Sequence, residues 1–191
     1  MITQSADRRT DSKLRTIVIV GGGTAGWMTD AALSKVLAES DCGITLIESN
    51  NIGTIGVGEA TIPSLGAFHH LLKIDEADFV RATQATFKLG IEFCDWHAPG
   101  ESFFHAFGHN GVAVDQAVFQ ANWLRERALG RPSSLEEWSV SGLAAKHGRF
   151  GQSNGSDPAL SQLSFAYHLD AGLYARFLRA HAEAGGVKRI E

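Results

Sequence analysis

The chain has 191 residues, enough for one domain with a proper core or for a domain and a fragment. Its net charge of −4 offers no electrostatic footprint for nucleic acid or an anionic membrane, and no apolar run approaches the ~18 residues of a membrane span. Cys42 and Cys94 form neither a C-x-x-C motif nor a disulfide framework, which is typical of a cytoplasmic protein, while residues 1–14 are predicted to be a disordered tail.

An apolar run over residues 17–20 leads into a glycine-rich turn. Four β-branched residues without alternating polarity predict a strand that is buried on both faces, as in a parallel sheet. Gly21, Gly23 and Gly26 then give the G-x-G-x-x-G spacing. These glycines suit a tight turn, close approach of a pyrophosphate and close packing of a helix on a strand. The pattern predicts a dinucleotide site, with a glycine-rich turn that binds nothing as the alternative.

The helix that follows is predicted over about residues 24–38, and its first residues are Thr24 and Ala25. Free N–H groups at the start of a helix hold phosphate oxygens. A second strand ends at Glu48, 22 positions after Gly26 and near the ~20-residue offset of a carboxylate that binds a ribose 2′-hydroxyl. Because a carboxylate repels a 2′-phosphate, FAD or NAD is favoured over NADP.

A second glycine-rich stretch covers residues 50–63, with glycines at 53, 56 and 58. Such a loop inside a compact domain is more often functional than not, although a flexible connector is the alternative. Glu59 in this loop could contact a cofactor, or it could fix the loop through a hydrogen bond.

Periodicity and capping residues predict further elements. The helices cover about residues 64–72, 75–84, 115–129, 133–146 and 171–184. The strands cover residues 86–93 and 101–107, and residues 187–190 begin a strand-like segment. In the strictly alternating strand 86–93, Phe87 and Lys88 face opposite ways. From the residues alone, Lys88 is either a solvated lysine on an exposed face or a functional group beside the space left by Gly90. The eight histidines show no metal-binding spacing, so no metal site is predicted.

Four segments together resemble the flavin-dependent tryptophan halogenases. They are Gly21-Gly-Gly-Thr-Ala-Gly-Trp27, Gly56-Val-Gly-Glu-Ala-Thr-Ile-Pro63, Phe87-Lys88 and Tyr167-His-Leu-Asp170. The likeness spans roughly residues 15–190, and the octet 56–63 is its most specific part. The resemblance implies a flavin loop formed by Gly56, Val57, Gly58, Glu59, Ala60 and Thr61.

The resemblance also implies a reaction. A separate flavin reductase supplies reduced FAD, which with O₂ and halide yields hypohalous acid, and a lysine directs the halogen onto an aromatic, tryptophan- or indole-like substrate. Lys88 matches that catalytic lysine. It would act as a cation that donates a hydrogen bond to hypohalous acid, or as a neutral amine that forms a haloamine.

Two departures from the family qualify this interpretation. Members are much longer, and their W-x-W-x-I-P signature does not occur here. We therefore expect an α/β, Rossmann-like FAD-binding domain of the flavin monooxygenase type over residues 15–191. It would be truncated at its C-terminal end, with residues 86–150 on the substrate side. Activity of the 191 residues alone is left open, and a homodimer is compatible with the sequence.

Rival functions are an FAD-dependent monooxygenase that does not halogenate and a non-catalytic flavin-binding protein. An NAD dehydrogenase is less favoured, because nothing after residue 50 continues a nicotinamide-binding pattern.

Overall fold

The structure is a computed structural model that describes residues 13–52, 58–111, 116–152, 155–158 and 160–191. Their strands are β1 (Thr16–Val20), β2 (Gly43–Ile47), β3 (Glu59–Ala60), β4 (Thr86–Lys88), β5 (Gly90–Cys94), β6 (Ser102–Ala106), β7 (Ala166–Leu169) and β8 (Lys188–Ile190). Their α-helices are α1 (Thr24–Val36), α2 (Ser64–Leu72), α3 (Glu76–Thr83), α4 (Gln116–Ala128), α5 (Val140–Lys146) and α6 (Ala171–Ala184). None of these helices is long and apolar enough to cross a membrane.

The described chain divides into two compact units. The first unit combines the residues up to 52 with Ala171–Glu191. Its parallel sheet has the order β1-β2-β8, and α1 packs against α6. The buried side chains of this unit include Trp27, Leu46 and Leu178.

The prediction that β1 is buried on both faces is wrong for the described chain. Val18 and Val20 are exposed, Val20 by 81%, whereas Ile17 and Ile19 are half-buried. Among the described residues, no element covers the face of β1 that carries Val18 and Val20, and β1 lies at the edge of the sheet, where it pairs with β2.

The second unit covers residues 58–170 and contains two antiparallel sheets. In one sheet β7 is the central strand between β3 and β4, and the other sheet is the pair β5-β6. Helix α3 begins as predicted, because the carboxylate of Asp75 accepts a hydrogen bond of 2.9 Å from the N–H of Asp78.

Two predicted elements of the second unit are divided in the structure. The strand predicted over residues 86–93 breaks at Leu89, because β4 pairs with β7 whereas β5 pairs with β6. The helix predicted over 133–146 is a 3₁₀ turn, Leu135–Trp138, followed by α5. Ser139 separates these two, since its side chain caps α5 by accepting from the N–H of Gly142.

Candidate functional site

Of the three predicted glycines, Gly21 and Gly23 lie in the turn between β1 and α1, and Gly26 lies in the first turn of α1. Each meets a different local requirement. Gly21 has a φ of +122°, which side chains rarely allow, and its N–H donates to the carbonyl of Ile47 at 2.9 Å. A methyl group at Gly26 would overlap the carbonyl oxygen of Gly21, so only glycine lets the helix approach the turn this closely. At Gly23 a methyl group would meet no protein atom within 4 Å, which leaves open space above the backbone.

The first turn of α1 follows directly and has no side-chain cap. The N-cap residue is Gly23, and no acidic side chain lies in the first turn. Ala25 is exposed, and the hydroxyl oxygen of Thr24 is buried without a hydrogen-bond partner among the described residues. Uncapped N–H groups, a partnerless hydroxyl and open space at Gly23 fit a phosphate group that accepts hydrogen bonds at this helix end.

Glu48 reaches back from the end of β2 to the same turn. A methyl group at Gly22 would overlap Oε2 of Glu48, so this carboxylate oxygen lies directly against the glycine backbone. The other oxygen, Oε1, accepts a hydrogen bond from Nε of Arg189 and lies 3.7 Å from Nη1 of Arg179. The hydrogen bond to Glu48 raises the pKa of the Arg189 guanidinium, which is therefore a permanent cation. The structure thus brings Glu48 to the glycine turn, as the sequence spacing predicts.

Sequence reasoning missed Arg189. It lies on β8, the parallel neighbour of β2, and is 141 positions from Glu48 in the chain. The available signal was a basic residue in a predicted strand that follows the helix 171–184. Nothing in the sequence specifies which strand β8 pairs with.

The predicted flavin loop is described in part. Gly56 and Val57 lie outside the described residues. Gly58 precedes β3, which contains Glu59 and Ala60, both exposed, and pairs with β7. Thr61 is fixed to the same strand, because its hydroxyl donates to the carbonyl of Tyr167 at 3.0 Å and accepts from its N–H at 2.9 Å.

Lys88 is buried, with 8% of its surface exposed. Its Nζ donates a hydrogen bond of 3.0 Å to the carbonyl oxygen of Thr61, and it lies 5.4 Å from the ring centroid of Phe107. The interpretation of Lys88 as a solvated surface lysine is therefore wrong. At these two positions the lysine is covered, whereas Phe87 is 36% exposed. Lys88 and the flavin-loop residue Thr61 are brought into direct contact.

Two buried titratable groups, Asp30 and His69, are not among the predicted site residues. Burial raises the pKa of Asp30, on α1, to about 6, and neither of its carboxylate oxygens has a hydrogen-bond partner among the described residues. Burial lowers the pKa of His69, on α2, to about 4. His69 packs edge-on against Phe79, with ring centroids 4.3 Å apart. Within the part of the chain that is described, no three His, Cys, Asp or Glu side chains are grouped to hold a metal ion.

A strand, a glycine turn, a helix and a second parallel strand that ends in a carboxylate define a Rossmann-like dinucleotide-binding unit. The tryptophan halogenase family model matches residues 16–191, and the chain belongs to this family. The predicted resemblance is thereby confirmed.

Individual relatives agree with this assignment. The chain is 35% identical to tryptophan 6-halogenase SttH of Streptomyces toxytricini, over 91% of this chain and 36% of the relative. It is 34% identical to tryptophan 7-halogenase RebH of Lentzea aerocolonigenes, over 94% of this chain and 36% of the relative. The chain therefore spans about a third of the length of the curated relatives it matches.

Solved structures give the same result. The flavin-dependent halogenase Xcc4156 from Xanthomonas campestris aligns with a TM-score of 0.84 and 52% identity, covering 93% of this chain and 35% of its own. BrvH, a flavin-dependent halogenase from Brevundimonas sp. BAL3, aligns with a TM-score of 0.82 and 46% identity, covering 94% of this chain and 35% of its own. The predicted α/β fold with a parallel, Rossmann-like sheet is confirmed.

Proposed function

We propose that the protein functions in FAD-dependent halogenation. The reaction would use reduced FAD, O₂ and halide to halogenate a tryptophan- or indole-like substrate. Membership of the tryptophan halogenase family and the halogenase relatives support this activity over oxygenation without halogenation. The observation that carries the proposal is the buried Lys88 held against the flavin-loop carbonyl of Thr61.

The first unit would hold the adenosine diphosphate part of FAD. Gly21, Gly23 and Gly26, with the N–H groups of Thr24 and Ala25, would bind the pyrophosphate, since the space at Gly23 is open and the helix start is uncapped. Glu48 would bind the adenosine ribose through the carboxylate oxygen that lies against the turn.

The second unit would supply the flavin loop and the lysine. We assign the border of the isoalloxazine and the halide to the loop residues Gly56, Val57, Gly58, Glu59, Ala60 and Thr61. When bound, reduced FAD would give two electrons to O₂, and the two-electron oxidant formed in this way would oxidise halide to hypohalous acid and leave water.

Lys88 would orient hypohalous acid toward the aromatic carbon. An ammonium group has three N–H donors. Among the described residues the carbonyl of Thr61 accepts from one of them, which leaves two for an incoming oxygen or halogen. The centroid of the Phe107 ring lies 5.4 Å from the same Nζ atom. We propose hydrogen-bond donation by the cation, with formation of a haloamine by the neutral amine as the alternative.

A separate flavin reductase would provide reduced FAD by diffusion, and we place the reaction in the cytoplasm, where free cysteines such as Cys42 and Cys94 stay reduced. The predicted homodimer stays a prediction.

The test compares Lys88→Ala with the unsubstituted protein, called the parent protein below. Both are assayed for halogenation of tryptophan and indole with a flavin reductase and chloride or bromide, and products are detected by mass spectrometry. We expect product formation to fall by about 100-fold or more, because the group that orients the reagent is removed, while FAD affinity stays unchanged. Lys146→Ala, at an exposed position on α5, is the matched control and should keep full activity.

Equal product yields from the Lys88 variant and the parent would refute the assignment of Lys88. A hydroxylated product that forms without halide would favour the monooxygenase, and bound FAD without any product would favour the non-catalytic flavin protein.

A further inference from the structure

The carboxylate of Glu48 is divided between two neighbours. Its Oε1 accepts from Nε of Arg189, whereas its Oε2 lies against the backbone of Gly22 in the glycine turn. The two oxygens therefore have separate environments, one occupied by a cation and one directed at the turn.

Arg189 is itself held in place. Its Nη2 donates to Oδ1 of Asn50 at 2.7 Å and lies 3.5 Å from Oε2 of Glu191. The N–H of Glu48 donates to the carbonyl of Ile190 at 3.0 Å, which fixes the two strand ends that carry this ion pair. Guanidinium and carboxylate are therefore fixed by both side-chain and backbone contacts.

The pair is also shielded from solvent. The side chains of Glu48 and Arg189 are only 14% and 16% exposed. Ion pairs at such positions are screened less by water and salt than those on an open surface. The attraction between Arg189 and Glu48 is therefore strong enough to hold the carboxylate in place. Without Arg189, Glu48 would lose its main charge partner and could rotate away from the turn toward solvent.

We propose that Arg189 is a positioning residue for cofactor recognition. By occupying Oε1 it directs Oε2 of Glu48 toward the adenosine ribose, so that the carboxylate accepts the 2′-hydroxyl hydrogen bond. This inference rests on the proposed binding of FAD. It extends the ribose site from one residue to a pair on neighbouring parallel strands.

The experiment compares the dissociation constants of FAD and of an FAD analogue that lacks the adenosine 2′-hydroxyl, by flavin fluorescence titration. The parent protein should prefer FAD by about tenfold or more, as expected for a hydrogen bond to a charged group. In Arg189→Gln the preference should fall toward one, because FAD binding weakens while binding of the deoxy analogue barely changes. Arg189→Lys should restore part of the preference.

Arg179→Gln is the matched control. Its Nη1 lies 3.7 Å from Oε1 of Glu48, beyond hydrogen-bond distance, so its removal should change the preference much less than removal of Arg189. This comparison separates positioning by a hydrogen bond from a general effect of local positive charge.

The outcomes separate this inference from the function on which it rests. A parent protein that binds FAD, with an unchanged preference in Arg189→Gln, overturns the role of Arg189 alone. Equal weakening of both ligands by Arg189→Gln also overturns it, because the arginine would then serve only to join β2 and β8. A parent protein that binds neither ligand overturns both the inference and the proposed function.

Discussion

Asp30 offers a sharp test of the energetics of the first unit. It lies on the buried face of α1 with no exposed surface, and neither oxygen of its carboxylate has a partner among the described residues. Burying an ionised carboxylate without a partner is costly, so the group holds its proton more tightly in the folded state. Burial raises its pKa from 3.8 to about 6.

The sign of the effect on stability follows from this direction. Since the folded state binds the proton more tightly than the unfolded state, the free energy of unfolding falls as pH rises from about 4 to about 6, and the loss persists at higher pH. The difference between 3.8 and about 6 corresponds to at most about 3 kcal/mol at pH 7.5. That is a large share of the stability of a typical domain.

Asp30→Asn isolates the charge, because an amide has nearly the shape and polarity of the protonated acid. At pH 4 the variant and the parent should have similar free energies of unfolding. At pH 7.5 the variant should be more stable by up to about 3 kcal/mol. The measurement is urea unfolding, monitored by circular dichroism at several pH values. The dependence of the unfolding free energy on urea concentration is compared between the two proteins to confirm that they unfold in the same way.

Asp41→Asn serves as the control, because the side chain of Asp41 is 82% exposed and lies 3.2 Å from Nζ of Lys13, its one ion-pair partner in the described part of the chain. Its effect should be within about 0.5 kcal/mol at every pH. A stability difference for Asp30→Asn that is absent at pH 7.5, or that is constant from pH 4 to 7.5, would refute the reasoning about a buried and unpaired charge.

Two further predictions concern the glycine turn and a buried histidine. Gly23→Ala should weaken FAD binding about tenfold or more, because the added methyl group would fill the space left for the cofactor. It should not lower the melting temperature, because the methyl group meets no protein atom. Gly26→Ala should lower the melting temperature, because its methyl group overlaps the carbonyl of Gly21. Equal melting temperatures for the two variants would contradict this contrast. Burial lowers the pKa of His69 to about 4, so the unfolded state binds a proton more tightly than the folded state. In the Asp30→Asn background the free energy of unfolding should therefore fall as pH drops from 6.5 toward 4. The additional substitution His69→Gln should make that fall smaller. An unchanged pH profile for the histidine variant would contradict this origin.

The sequence predicted the elements whose specification is local. The glycine turn needs only residues that are a few positions apart, and its geometry is as expected at Gly21 and Gly26. The cap of α3 at Asp75 is likewise a contact over three positions.

Features that depend on strand pairing were not predictable. Strict alternation over residues 86–93 suggested one strand. In the structure the first part, β4, pairs with β7 and the second part, β5, pairs with β6, and the alternation does not encode this change of partner. The burial of Lys88 follows from that pairing. Because Lys88 is opposite Ala166 on β7, its side chain reaches the carbonyl of Thr61 rather than solvent.

Long-range ion pairs were equally hidden. Glu48 was found from its offset to the glycine turn, whereas Arg189 became its partner only because β8 pairs with β2. Asp30 went unnoticed for a related reason. Helical periodicity places it on α1, but its burial depends on how α1 packs against the other elements of the first unit, such as α6 and β2.

The position of the Lys88 amine is determined by one sheet. The carbonyl that accepts from Lys88 belongs to Thr61, whose hydroxyl and backbone N–H are both bound to Tyr167 on the central strand β7. Lys88 itself ends β4, which pairs with the same strand, so donor and acceptor are both attached to β7. Rotation of the lysine side chain therefore has little freedom left once the sheet forms. An amine fixed in this way has lost its conformational entropy during folding rather than during the reaction, which is the arrangement expected of a group that must orient a small reagent.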